Sequence, residues 1–109
     1  MSARLAASVL AGALLRRAEA EGGFGTVLAK GDATAGSILV VLLERGGQAR
    51  LFERLLQPDG RYQWRKSPAD PAEVPALVAR QRRFDPDLWV LELDIPSAER
   101  FAAEMNAFD

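Results

Sequence analysis

Residues 38–43, Ile38-Leu39-Val40-Val41-Leu42-Leu43, are apolar at every position. A strand with one wet face alternates apolar and polar residues, because successive side chains point to opposite sides of the sheet. A short uninterrupted run reads instead as a strand covered on both faces, and so one inside a sheet. The rest of the chain has to be arranged around it. Arg45-Gly46-Gly47-Gln48 and Gln57-Pro58-Asp59-Gly60 put Gly and Pro where tight turns need them. They predict strands over 37–44, 49–56 and 61–66, joined as hairpins. Phe24 to Ala29 reads as an earlier strand and Leu88 to Ile95 as the last. In that last segment Trp89, Leu91, Leu93 and Ile95 share one face, and Leu88, Val90, Glu92 and Asp94 share the other.

Helices flank these strands. Leu5, Val9, Leu10, Ala13 and Leu14 follow helical spacing, with Ser2 as the expected N-cap and Gly22-Gly23 as the stop. A Pro-rich connection from Ser67 leads to a helix over 72–83, where Pro71 or Pro75 suits the first turn. Ser97 is the expected cap of a terminal helix in which Phe101, Met105 and Phe108 are spaced to pack on one side. The predicted order is α-β-β-β-β-α-β-α. It describes one α+β domain over 1–109, with an antiparallel sheet of about five strands and helices on one face.

Composition removes several kinds of chemistry. The 109 residues include no Cys and no His. Disulfides, thiol nucleophiles, zinc sites built on Cys or His, and a Ser-His-Asp triad are therefore excluded. Neither a cofactor nor catalysis is expected. Charge is nearly balanced at −1 but unevenly spread. Residues 45–83 net +5 and residues 84–109 net −6, which predicts basic and acidic segments facing each other within or between chains. The N-terminal stretch imitates a signal peptide, yet Arg16-Arg17 stands where signal peptides avoid charge. Its apolar part, Leu5 to Leu15, is too short to span a bilayer. The expected setting is the cytoplasm, with no membrane partner.

Four segments resemble a known family: "LLRRAEAEGGF", "KGDATAGSIL", "DPDLWVLELD" and the closing "ERF". Together they look like a family of short alphaproteobacterial proteins catalogued only as a domain of unknown function. The resemblance covers nearly the whole chain and implies a small cytoplasmic bacterial protein. It implies no catalytic residue, cofactor or substrate.

Three stretches are candidates for a function. Lys30-Gly31-Asp32-Ala33-Thr34-Ala35-Gly36 has the look of an anion cradle, but a strand follows it where a phosphate loop would have a helix N-terminus. Lys30, Gly31, Asp32 and Gly36 read better as a hairpin turn, with positive φ at the glycines and Asp32 bonding its own backbone. The second candidate is basic and aromatic. Arg61, Trp64, Arg65 and Lys66, with Arg80, Arg82 and Arg83, could contact single-stranded RNA or DNA through phosphate pairing and base stacking. The competing reading is a half-buried edge strand with Tyr62, Trp64 and Lys66 inward, followed by a helix C-terminus whose cations suit the dipole. The acidic balance of the whole chain disfavours the nucleic-acid reading. Third, Asp85, Asp87, Glu92 and Asp94 could hold a divalent ion. A turn at Asp85-Pro86-Asp87, with Glu92 and Asp94 paired to arginines such as Arg50 or Arg54, explains them better. The sequence therefore predicts a non-catalytic interaction or accessory module, self-associating as a dimer through helix 1 and through Phe101 and Phe108, or binding a protein partner. A nucleic-acid module is the alternative.

Overall fold

The apolar run becomes β2 (Ile38–Glu44) near the middle of a five-stranded sheet. Around it stand α1 (Ala7–Ala20), β1 (Phe24–Ala29), β3 (Arg50–Leu56), β4 (Tyr62–Lys66), α2 (Val74–Phe84, entered through a 3₁₀ turn at Pro71–Glu73), β5 (Trp89–Ile95) and α3 (Ala98–Met105). This computed structural model describes residues 6–106, and the element order is the one the sequence predicts. Ser2 and Phe108 lie outside the described residues. No helix among those residues is long and apolar enough to cross a membrane.

Spatial order along the sheet is β1-β5-β2-β3-β4. β2–β3 and β3–β4 are the predicted hairpins, and β1 is antiparallel to β5. Positive φ at Arg45, Gly46 and Gly60 closes the two hairpin turns. One pair departs from the antiparallel expectation. β5 runs parallel to β2 over its whole length, from Ile38 opposite Trp89 to Glu44 opposite Ile95. The cause is the connection: after β4 the chain crosses the sheet as α2 and returns in the gap between β1 and β2. A helical crossover of that kind is what a parallel pair requires.

The helices also depart from the one-face expectation. α1 and α3 cover one face, where Leu10, Leu14, Phe101 and Met105 pack with Val40, Leu42, Leu91 and Leu93. α2 covers the other, where Val74, Leu77 and Val78 meet Leu39, Val41, Leu51 and Val90. Alternate residues of the apolar run thus enter two separate cores. Each fully buried Leu or Val contributes about 1.5–3 kcal/mol relative to exposure. A run of such residues needs cover on both sides, and the helices divide to provide it.

Local contacts fix the helices on the sheet. A Cβ on Gly25 would stand 2.6 Å from Leu15 Cδ2, so the glycine lets α1 settle close to β1. The first N–H of α3, from Ala98, donates to Glu44 Oε1 at 2.9 Å. Ser97 occupies the N-cap position but makes no side-chain cap bond, so the end of β2 supplies the acceptor. Arg17 of α1 joins Glu104 of α3 at 2.6 Å and Glu21 at 3.0 Å, and Arg100 adds a contact to Glu104 at 3.3 Å.

Candidate functional site

The Lys30–Gly36 loop is not a hairpin turn, because β1 and β2 do not pair with each other. β5 lies between them, and the loop steps over the start of β5. Its backbone is spent on neighbours. Asp32 N–H donates to Asp87 O at 2.9 Å, and Asp32 O accepts the Trp89 indole N–H at 2.7 Å. The carbonyls of Thr34 and Ala33 accept the N–H groups of Ala7 and Ser8, at 3.1 and 2.9 Å. They take the role expected of an N-cap side chain at α1. Asp32 Oδ2 accepts Ala35 N–H at 2.7 Å and Thr34 N–H at 3.1 Å. Those two donors, Ala35 first, hold its carboxyl below the usual range. The self-bonding predicted for Asp32 is present, but the glycines act differently from expectation. The glycines with positive φ are Gly22, Gly46 and Gly60. Gly31 and Gly36 are needed for closeness, since a Cβ on either would fall 2.1 or 2.4 Å from Asp87 O. The loop ties α1 and β5 together.

The basic and aromatic residues do not form one surface. Trp64 is 5 % exposed and packs in the core under α1 and α3, on the inward face predicted for it. Its indole N–H finds no partner among the described residues. Arg61, Arg65 and Lys66 are exposed, with Arg65 on the opposite face of β4 from Trp64. Arg54 stacks over the Tyr62 ring at 3.8 Å. Arg80 and Arg83 are exposed on α2, whereas Arg82 is half-buried and structural. Its guanidinium donates to Pro86 O, to Leu88 O at 3.0 Å and to Lys30 O at 3.1 Å. That arginine locks the end of α2 to the loop before β5.

The acidic residues are likewise dispersed. Asp85 accepts Asp87 N–H at 3.1 Å and makes the expected turn. Glu92 and Asp94 share the α2 side of β5, and Asp94 Oδ1 accepts Gly46 N–H at 2.9 Å. Arg50 and Arg54 stand on the other side of the sheet with Leu42 and Phe52, so the expected pairing does not form. Among the described residues no three acidic side chains converge in a metal-holding group.

A different feature stands out once the sheet is assembled. β1 and β4 are the two edges, and they are treated differently. β4 presents exposed Gln63, Arg65 and Lys66, and the backbone N–H of Trp64 donates to Asn106 Oδ1 at 2.8 Å. Charge and a side-chain cap are ordinary ways of closing an edge. β1, Phe-Gly-Thr-Val-Leu-Ala, has neither charge nor proline. Phe24 is 74 % exposed, Leu28 52 % and Val27 41 %, so three of the six exposed large apolar residues among those described sit on this strand. Phe84, also exposed, lies two residues beyond Arg82, which reaches the Lys30 carbonyl at the end of β1. A bulge between Val27 and Ala29 is the only irregularity in the β1–β5 pairing. Sequence reasoning missed this edge because Phe24–Ala29 reads the same whether β5 flanks it on one side or strands flank it on both.

Of the helix surfaces offered for self-association, Val9 of α1 is exposed and Phe108 lies outside the described residues. Phe101 is 1 % exposed, and Leu10 and Leu14 are completely buried.

Comparison with known proteins agrees with the architecture. No curated protein matches the chain. A crystal structure of a DUF1491 family protein from Caulobacter crescentus is 38% identical, with a TM-score of 0.83, over 90% of this chain and 94% of that one. An NMR structure of a DUF1491 family protein from the same species gives 37% identity and a TM-score of 0.79, over 92% and 94%. A solution structure of a protein from A. tumefaciens gives 33% identity and 0.73, over 91% and 92%. The family model described as "Protein of unknown function (DUF1491)" matches residues 5–103, and the chain belongs to that family.

Proposed function

We propose that this chain is a non-catalytic, cytoplasmic interaction module that offers the open edge of β1 to a strand of a protein partner. The observation that carries the reading is the contrast between its two edges. Among the described residues, this uncharged edge strand with exposed Phe24, Val27 and Leu28 has a strand neighbour on one side alone, which leaves its outer backbone groups beside apolar side chains. That combination is the template used in strand addition, where the main chain supplies affinity and side-chain contacts supply selectivity. The absence of Cys and His from the chain supports a role without catalysis. The nucleic-acid alternative loses its stacking platform, because Trp64 is in the core.

A photo-crosslinking residue placed at Val27 tests the reading inside the bacterium, with the same residue at Gln63 on β4 as control. Covalent protein adducts at Val27 and none at Gln63 are expected. No adduct at Val27, or equal labelling of both edges, would contradict it.

A further inference from the structure

Phe52 of β3 pairs with Lys66 of β4, so Arg50, two residues before Phe52, shares that face as a diagonal neighbour of Lys66. Diagonal neighbours stand about 7–8 Å apart, near enough for one anion to reach both side chains. Arg50 and Lys66 are exposed, and among the described residues neither enters an ion pair. Both line a cleft of about 470 Å³ between the turn at Gln48 and the strap Ser67–Pro71. The carboxylate on its wall, Asp70, belongs to a capping box with Glu73 at the start of the 3₁₀ turn. The geometry points to an anion-binding site, in which Arg50 and Lys66 share the phosphate group of a small phosphorylated ligand.

Phosphate suits the pair because arginine offers a planar fork to two of its oxygens and lysine adds a point charge. The cleft has the size of a small-molecule site. Recognition falls to the side chains, since the strap has no donor to spare. Pro68 and Pro71 lack an N–H. Ser67 N–H donates to Leu51 O at 2.8 Å, Ala69 N–H to Ser67 Oγ at 3.3 Å, and Asp70 N–H to Glu73 Oε1 at 3.1 Å. Those bonds also hold the wall in place, with Ser67 buried beneath it. Ala49, Pro68 and Pro71 give the organic part of the ligand an apolar surface. Across the strap, a second cleft sets Arg80 beside Glu73, so it offers an anion no net charge. The pairing of two cations is what singles out the first. It lies at the β3–β4 end of the sheet, away from β1, and is independent of the docking reading.

The test titrates the intact chain with phenyl phosphate at constant ionic strength, chloride being the balancing anion, and follows backbone amide signals. Signals of Arg50, Lys66 and Ser67 should shift and saturate. Arg50→Gln and Lys66→Gln should each weaken binding roughly tenfold or more, because each removes a charge-assisted contact to the phosphate. Both positions are exposed, so the melting temperature in chloride should not change. Lys66→Arg keeps the charge and should keep the binding. Shifts that never saturate, or that appear equally at Arg61, Arg65 and Arg83, overturn the inference. So does binding undiminished in the double variant Arg50→Gln, Lys66→Gln, or lost in Lys66→Arg. A single-stranded oligonucleotide that binds more tightly than phenyl phosphate, with shifts running along β4 to Arg61, overturns the small ligand in favour of nucleic acid.

Discussion

Gly31 shows what a single position does here. A side chain on it would collide with the Asp87 carbonyl, where the loop crosses the start of β5. Overpacking of that kind costs about 1–3 kcal/mol, so Gly31→Val should lower stability by that amount in chemical denaturation. Lys30→Ala, at an exposed neighbour, should stay within about 0.5 kcal/mol. Trp64 is the second informative residue. As a core aromatic it should cost about 3–5 kcal/mol on replacement by Ala, measured by the same means. An unchanged stability would return Trp64 to the surface and revive the nucleic-acid reading. Alternation in β4 made the inward placement of Trp64 legible in the sequence. The role of Gly31 was not legible, because closeness to Asp87 exists only after β5 has been inserted beside β1.

Among elements, the helices are held by contacts from outside themselves. Loop carbonyls complete the start of α1, and Glu44 completes the start of α3. Sequence reading named Ser2 and Ser97 for these roles because local capping is the commoner solution. Distant acceptors leave no trace in a local pattern. The α1–α3 contact has a pH signature. Hydrogen bonding by Arg17, chiefly, holds the Glu104 carboxyl below its usual range, and backbone donors do the same for Asp32. Both groups bind protons more weakly when folded than when unfolded. Their contribution is therefore complete above the ordinary carboxylate range and is lost as pH falls through the lowered folded values. Denaturation midpoints should fall on acidification below about pH 4. The double variant Asp32→Asn, Glu104→Gln should be less stable at neutral pH and show a flatter acid limb. An acid limb as steep as that of the unaltered chain would remove these two groups from the account.

At the scale of the whole molecule, the apolar run 38–43 already demanded cover on both faces of β2, and the division of helices between the two faces meets that demand. What the sequence left open was strand order. Tight turns report the hairpins they close, but nothing in Pro68–Pro86 reports where the crossover will land. It lands between β1 and β2, which moves β1 to the rim and exposes Phe24, Val27 and Leu28. The exposed apolar edge is thus a product of topology. Residue-resolved amide exchange tests it most directly. The account predicts that outward-facing amides of β1 exchange quickly in the isolated protein, while the Trp64 amide of β4, held by Asn106 Oδ1, exchanges slowly. Slow exchange along the outward side of β1, or fast exchange at Trp64, would contradict it.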